Sequence, residues 1–345
     1  MKKVFLLVIM TVMLIGTLFV AGCTATGEAI NEDGPIIMVW YPNESGEDLK
    51  GARDEIGSVI EKATGRKVEH KLTTDYVIAI EAIANGNAHI AFMGATGYIE
   101  ANERNSKVLP LVVNSGSSGT LDDAVYYSWL AVKKENEGMY KSGQGYSIDN
   151  IAGKRFSFVS TSSTSGFRVP AAGITNYFSK KNEWQNLTQE DLLEGGPGKF
   201  FSEVLYGGSH QGSLVNLLTN KADVASFCDV CVGNYIEIIT GEHNRPGAAY
   251  KIAQDAVDPF TNLRGQEFVV IYSTPVLNAP MAVNTEVLSQ EHIQIILEAL
   301  TNEETAKNER IFVPKDSQFK GLWKQGERFL PVEDSWFNPI RELSK

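Results

Sequence analysis

The chain has 345 residues, of which 31 are Lys or Arg and 42 are Asp or Glu, so its formal net charge is −11. This acidic balance argues against nucleic-acid binding, which needs a basic face. The three cysteines, Cys23, Cys228 and Cys231, are too few for a disulfide-built scaffold. The length is more than one hydrophobic core usually serves, so we expect two lobes.

The N-terminal segment has the pattern of an export signal. Lys2 and Lys3 precede the apolar run "VFLLVIMTVMLIGTLFVAG", which stops at Cys23. The residues "VAGC" resemble a bacterial lipobox, which implies that residues 1–22 are removed and that Cys23 is lipidated. The alternative is an uncleaved membrane anchor, since the run is long enough to span a bilayer. We expect a lipid-anchored protein on the outer face of the membrane, with residues 23–34 as a polar tether.

From residue 36 the chain alternates strand and helix patterns. "IIMVWY" predicts a buried strand, "EDLKGARDEIGSVIEKATG" a helix that stops at glycine, and "DYVIAIEAIANG" a helix capped by Asp75. This order predicts an α/β fold whose lobes are mostly parallel sheets flanked by helices. We assign residues 35–128 to lobe 1, 129–270 to lobe 2, and 271–345 to the return into lobe 1 and the C-terminal helices. "YYSWLAVKK" and "EFVVIYSTPVLNAPMAV" are the predicted crossing strands.

Six consecutive hydroxyl side chains, Ser160 to Ser165, precede Gly166 and a helical pattern. Free backbone N–H groups at a helix start, together with the helix dipole, bind anions. Hydroxyls add donors without adding charge. We therefore predict an anion site here, with Ser165 or a later residue as the helix cap. The alternative is ordinary capping, which needs only one hydroxyl.

The segment "SSTSGFRVP" resembles the Ser-Thr-Ser-Gly-x-x-x-Pro signature of the phosphate/phosphite/phosphonate solute-binding proteins of ABC transporters. "TDYVIAIEAIANGNAHIAFMGATGYIEA", "GGSH", "ADVA" and "TPVLNAP" follow in that family's order. The resemblance covers roughly residues 35 to 330 and implies a periplasmic-binding-protein type II fold with its ligand cleft between the lobes. It also implies these ligand-binding residues: Ser163, Thr164, Ser165, Tyr76, Tyr126 (or its neighbour Tyr127) and His210.

The pattern departs from the family at the acids that hold an aminoalkyl ammonium group. Asp229 lies one residue off the expected register and is kept as a candidate ligand-binding residue, while Ala279 stands where an acid is expected. An ammonium group without acids would lose its hydration uncompensated, so we expect phosphite, phosphate or an alkylphosphonate. Cys228 and Cys231 leave five interpretations open: a disulfide, a redox pair, thiols that capture a soft ligand such as arsenite, half of a metal site, or buried small residues.

The sequence therefore predicts an extracytoplasmic solute-binding lipoprotein that captures a small tetrahedral oxyanion by hinge closure and passes it to an ABC permease. We expect a monomer without cofactor, bound metal or enzymatic activity. Two alternatives remain: a sensory binding protein that reports arsenite or a related oxyanion to a membrane kinase, and a secreted hydrolase. The hydrolase is disfavoured because neither Gly-x-Ser-x-Gly nor His-Glu-x-x-His occurs in the sequence. Arg168 is a weak candidate counter-charge.

Overall fold

The computed structural model describes residues 34–343. The predicted signal, the lipidation site Cys23 and nearly all of the tether lie outside the described residues. All of these described residues belong to one compact unit. Within the described range, no helix has both the length and the apolar character needed to cross a bilayer.

Seventeen strands occur in the described residues. They are β1 Ile36–Trp40, β2 Val68–Leu72, β3 Ile90–Phe92, β4 Val108–Asn114, β5 Val125–Lys133, β6 Lys141–Ser142, β7 Gly145–Tyr146, β8 Arg155–Phe158, β9 Glu203–Tyr206, β10 Val224–Cys228, β11 Ile236–Thr240, β12 Ala249–Ile252, β13 Glu267–Leu277, β14 Met281–Asn284, β15 Phe312–Val313, β16 Trp323–Lys324 and β17 Phe329–Pro331.

The described α-helices are α1 Lys50–Thr64, α2 Tyr76–Ala84, α3 Ala95–Arg104, α4 Val169–Phe178, α5 His210–Leu218, α6 Asp229–Val232, α7 Gln290–Thr301, α8 Glu303–Ala306 and α9 Asn338–Glu342. A π-helical turn, Thr164–Arg168, leads directly into α4. Short 3-10 turns lie at Pro42–Glu44, Glu47–Leu49, Lys134–Tyr140, Asp149–Ile151, Asn182–Trp184, Glu190–Leu192, Gly233–Tyr235, Thr261–Leu263 and Asp334–Phe337.

Two sheets define two lobes. Lobe 1 is the six-stranded sheet in the order β17-β4-β14-β3-β1-β2, and lobe 2 is the seven-stranded sheet in the order β11-β12-β13-β5-β10-β8-β9. The long strands β5 and β13 pair antiparallel and connect the lobes. The predicted two-lobed α/β class is confirmed. The boundaries at residues 128 and 270 stay a prediction, because β5 and β13 run through them without a break.

The sheets are mixed rather than mostly parallel. Parallel pairs join β1 to β2 and β3 in lobe 1, and β8 to β9 and β10 in lobe 2. The remaining pairs within both sheets are antiparallel. Most of them involve β5, β13 or β14, the strands by which the chain crosses between the lobes and returns. The expectation of parallel sheets overlooked these connections, which reverse the strand direction.

Both faces of the lobe 1 sheet are buried, and β1 shows why. Ile36, Met38 and Trp40 join one apolar cluster, with Ile56 and Ile60 of α1. Val39 joins the opposite cluster, with Ile80 of α2. Successive side chains of a strand point to opposite faces, so a continuously apolar strand fits between two layers of helices. The polar residues at the ends of these buried strands therefore lie at the edges of the sheets, together with the starts of the helices. The candidate functional site lies there.

Candidate functional site

The second half of the hydroxyl run, Ser163 to Ser165, lies in a buried turn at the edge of lobe 2. Ser163 caps it: its Oγ accepts a hydrogen bond from Gly166 N at 3.1 Å. The backbone N–H groups of Phe167 and Arg168 both donate to the Ser163 carbonyl, at 3.1 and 3.0 Å. The predicted cap was Ser165 or a later residue; the structure has a π-helical turn capped by Ser163, and α4 then begins after Arg168, which lends no side-chain cap. Ser163, Thr164 and Ser165 are each at most 2% exposed.

Thr164 contacts the start of a helix in the other lobe. Its Oγ1 accepts a hydrogen bond of 2.8 Å from the backbone N–H of Thr96, near the start of α3. The hydroxyl of Thr96 is itself buried and has no hydrogen-bond partner among the described residues. A Cβ at Gly94, the N-cap of α3, would lie 2.9 Å from Thr164 Oγ1. The two helix starts thus face each other at a distance that leaves no room for a side chain at Gly94.

Tyr76 is the centre of a second contact between the lobes. Asn43 Nδ2 donates to Tyr76 Oη at 2.6 Å, and Asn43 Oδ1 accepts from the backbone N–H of His210 at 3.0 Å. The Ser163 side chain also interacts with the Tyr76 phenol. Burial raises the pKa of Tyr76 far above its usual value, so the phenol keeps its proton and remains a donor.

Tyr41 packs beside Tyr76, with ring centroids 4.1 Å apart. Its hydroxyl is buried without a partner among the described residues. Tyr41 and Asn43 were missed by the sequence analysis. Tyr41 follows β1 directly and Asn43 comes two residues later; polar residues just beyond the carboxyl end of a buried parallel strand are a signal that would have found them.

His210 is the first residue of α5, whose N-cap Ser209 accepts from Gly212 N at 2.9 Å. His210 Nδ1 accepts a hydrogen bond from Cys228 N at 3.0 Å, which places the proton of the neutral ring on Nε2. Burial lowers the pKa of His210 to about 3. The ring is therefore neutral at pH 7, and it offers a dipole rather than a positive charge.

Tyr126 lies at the start of β5 and is 8% exposed. Burial raises the pKa of its phenol, and interactions with the side chains of Ser165 and Thr164 oppose part of that rise. Its neighbour Tyr127 donates its backbone N–H to Asp229 Oδ1 at 2.8 Å. The structure thus brings Tyr126 against the hydroxyl run, together with Tyr76 on the other side.

Asp229 is buried, and both of its oxygens accept hydrogen bonds from protein groups. Besides the Tyr127 N–H on Oδ1, Asn244 Nδ2 donates to Oδ2 at 3.1 Å. Burial raises the pKa of its carboxyl group. These contacts fix the start of β5 behind Tyr126, and direct contact of Asp229 with a ligand stays a prediction.

Cys228 and Cys231 form a disulfide in the structure, with Cα atoms 5.4 Å apart. Of the interpretations left open by the sequence, the structure therefore selects the disulfide. Arg168 is half-buried, and its Nη1 lies 3.5 Å from Gln189 Oε1 at the far end of the turn.

Glu44 is a buried carboxyl group beside Asn43 that the sequence analysis also missed. It is 7% exposed, and its Oε2 has no hydrogen-bond partner among the described residues. Burial raises its pKa from an ordinary 4.5 to about 8, although the Arg53 charge and the Asn43 side chain oppose this rise. Glu44 is therefore protonated at pH 7 and adds no negative charge next to Tyr76.

We expect the Glu44→Gln variant to gain stability over the wild type as the pH rises. A carboxyl whose pKa is raised in the folded state favours folding below pH 4.5 and loses that contribution as the pH rises through about 8. Urea unfolding at pH 5, 7 and 9 should show a difference at pH 9 on the order of a few kcal/mol, and little at pH 5. Glu47→Gln, at an exposed neighbour, is the matched control. Parallel pH profiles for wild type and Glu44→Gln would contradict this assignment.

The fold and these contacts define a class of protein. Two α/β lobes joined by antiparallel strands bring neutral donors together at buried helix starts, which is the architecture of a two-lobed solute-binding protein. The family model described as "ABC transporter, phosphonate, periplasmic substrate-binding protein" matches residues 38–337. The chain belongs to this family, as the resemblance of its motifs had implied.

Individual relatives agree with this assignment. Over 200 residues, the chain is 27% identical to the phosphate-import protein PhnD of Mycolicibacterium smegmatis. The match covers 57% of this chain and 56% of that protein, so the chain spans little more than half of this relative's length. A binding-protein component of an ABC phosphonate transporter from Pseudomonas aeruginosa has a similar fold, with a TM-score of 0.61, 20% identity, and coverage of 90% of this chain and 85% of the other.

PhnD1 from Prochlorococcus marinus, solved in complex with methylphosphonate, has a TM-score of 0.61 and 13% identity, with coverage of 91% of this chain and 97% of that one. At such identities the two solved structures establish the likeness of fold alone.

Proposed function

We propose that the protein is the solute-binding component of an ABC importer and that it captures a small tetrahedral oxyanion by closing its lobes. The observation that carries this proposal is the junction of Thr164 with Thr96 N, where two helix starts from different lobes meet in a buried place. The start of a helix supplies unpaired N–H groups and the positive end of the helix dipole. Burial strengthens the attraction of both to an anion. The family relationship supports the transport role.

The proposed ligand contacts are neutral donors from both lobes. Lobe 1 supplies the Tyr76 phenol and the Thr96 hydroxyl, which is buried and unpartnered among the described residues. Lobe 2 supplies Ser163, Thr164, Ser165, Tyr126 and the His210 Nε2 proton. In the closed lobes these groups replace the hydration of the anion, and opening exposes them to water again. Asp229 supports this set by holding the strand that carries Tyr126.

The surroundings of Tyr126 favour a ligand with a small, uncharged substituent. Tyr126 belongs to a buried apolar cluster with Val169, Cys228 and Val276. The Asp229 carboxyl behind Tyr126 already accepts hydrogen bonds from Tyr127 N and Asn244 Nδ2, so an ammonium group placed there would lose its water without a free carboxylate as compensation. The half-buried Ala279 in the following segment supplies no acid either. We therefore propose phosphite, phosphate or methylphosphonate as the ligand class.

A thermal-shift panel on the purified protein tests the ligand class. Phosphite, phosphate, methylphosphonate, 2-aminoethylphosphonate and sulfate should be compared at equal concentration. A ligand present at 100 times its Kd stabilises the folded state by about 2.7 kcal/mol. We expect clear shifts with at least one of the first three ligands and none with the aminoalkyl compound.

The opposite pattern would overturn this ligand class. The carboxylate of Glu100 accepts a hydrogen bond from Ser162 Oγ at 2.8 Å and is an alternative partner for an ammonium group along the hydroxyl run. A large shift with 2-aminoethylphosphonate that disappears in Glu100→Gln would assign the pocket to cationic phosphonates. The matched control is Glu103→Gln, on the same helix α3.

The cellular setting is also part of the proposal. We propose that Cys23 carries the lipid, that the mature protein is a monomer tethered outside the cell membrane, and that it delivers its ligand to an ABC permease without catalysing a reaction. Removal of residues 1–22 would leave 29 basic and 42 acidic residues, a balance of −13. Labelling of the expressed protein with a radioactive fatty acid tests the anchor, and Cys23→Ala should abolish the label.

A further inference from the structure

The disulfide lies against a third potential metal ligand. Cys228 and Cys231 bracket the start of α6, and His210 approaches from α5, 18 residues earlier in the chain. The two sulfur atoms and one ring nitrogen of His210 all lie within 4.8 Å of one another. Cys228 and His210 are buried, and Cys231 is half-buried, which leaves a route from solvent.

The local contacts suit two thiolates and a neutral imidazole. The backbone N–H of Cys231 points at Cys228 Sγ at 3.2 Å, and such a donor stabilises negative charge on sulfur. His210 Nδ1 holds a lone pair that now accepts the Cys228 N–H; in the metal-bound state this lone pair would turn to the cation, while Nε2 keeps its proton. Cys-x-x-Cys plus His is a donor set that binds thiophilic cations such as Zn²⁺.

We propose that reduction of Cys228–Cys231 creates a Zn²⁺-type site whose ligands are Cys228, Cys231 and His210, with the fourth position left to solvent. An external dithiol supplies the two electrons: its thiolate attacks one sulfur, a mixed disulfide forms, and its second thiol releases the protein as a dithiol while the reductant leaves as a disulfide. Binding of the cation then releases two thiol protons to solvent.

This site would couple the redox state to the candidate anion site. His210 is shared, and Gln211 beside it donates from Nε2 both to the Asn43 carbonyl in lobe 1, at 3.1 Å, and to the Cys231 carbonyl, at 3.0 Å. A cation that draws His210 and Cys231 together acts on the same contacts that join the lobes. The metal proposal itself does not depend on the identity of the anion.

The test uses the full chain in detergent, carrying Cys23→Ser so that Cys228 and Cys231 are the only cysteines. One sample is left oxidised, and the other is reduced with a phosphine, which is then removed under anaerobic conditions. Zn²⁺ affinity is measured by competition with a chromophoric chelator, and Co²⁺ is used as a probe for a thiolate-to-metal charge-transfer band. We expect one equivalent bound after reduction, at least about 100-fold tighter than in the oxidised sample.

Variants identify the ligands. Cys231→Ser should lose the charge-transfer intensity of one thiolate and weaken Zn²⁺ binding by more than about tenfold, and His210→Ala should also weaken it. His243→Ala is the matched control, because His243 contacts Tyr250 rather than the cysteines. Equal Zn²⁺ affinity in reduced and oxidised protein, or full affinity in Cys231→Ser, would overturn the proposal. Phosphate and methylphosphonate binding are measured on the oxidised sample at the same time. This measurement tests the proposed function separately from the metal site.

Discussion

The Thr164→Ala variant should lose most of its oxyanion affinity and keep its fold. In the wild type, the Thr164 hydroxyl lies where a helix start from lobe 2 meets a helix start from lobe 1, and its Oγ1 is 2.8 Å from Thr96 N. Hydrogen bonds to a charged partner contribute about 1.5–3 kcal/mol, so we expect Kd to rise roughly 10- to 150-fold. Isothermal titration with whichever of phosphite, phosphate and methylphosphonate binds the wild type measures this change.

Thr164→Ser is the matched control for the loss of the hydroxyl. It keeps the donor and acceptor oxygen and removes only a methyl group, so its Kd should stay within a few-fold of the wild type. The urea midpoints of both variants show whether the fold is intact. Unchanged affinity in a folded Thr164→Ala protein would remove the hydroxyl run from the ligand site.

Gly97→Ala should destabilise lobe 1 and weaken ligand binding at the same time. A Cβ at this position in α3 would overlap Tyr41 Oη and lie 3.0 Å from Tyr41 Cζ, so the ring has to move. Tyr41 packs on Tyr76, which is a proposed ligand contact. Overpacking of a buried contact costs about 1–3 kcal/mol, which thermal and urea unfolding will detect.

Gly51→Ala is the matched control, because it makes the same change in another helix. Gly51 is exposed near the start of α1, and an added Cβ there meets no atom within 4 Å. Alanine in an open helical position stabilises by roughly 0.5–1 kcal/mol. The two variants should therefore shift stability in opposite directions. A Gly97→Ala protein that is as stable as Gly51→Ala would show that Tyr41 is not confined as described.

The sequence predicted the features that depend on residues close together along the chain. α1 ends where predicted, with Gly65 in the left-handed conformation at φ 70°, and Asp75 caps α2 by accepting from Val77 N. Hydrophobic periodicity and capping are local, so one stretch of sequence contains all the information that they need.

The contacts that build the site are not local, and the sequence did not reveal them. Thr96 and Thr164 are 68 residues apart, and Asn43 and His210 are 167 apart. Nothing in either stretch alone indicates its partner. For the same reason, the sequence did not predict a third ligand beside Cys228 and Cys231. His210 lies next to them because the elements of lobe 2 pack together, and no short sequence motif links the three residues.

An acidic protein can hold an anion when the local donors are oriented and buried. His210 is neutral because burial lowers its pKa to about 3, and Glu44 is neutral because burial raises its pKa to about 8. The field at the site therefore comes from hydroxyls, phenols and helix starts, while the surface charges are screened by salt over about 10 Å. This arrangement leaves the net charge free to serve solubility.

A crystal structure of the protein with bound methylphosphonate, or phosphate if that binds more tightly, tests the central claim most directly. The account predicts phosphoryl oxygens within hydrogen-bond distance of the Thr164 hydroxyl and of N–H groups at the starts of the Thr164 turn and α3, with Tyr76 and His210 as further donors. An anion held instead by lysine or arginine side chains, away from these helix starts, would contradict it.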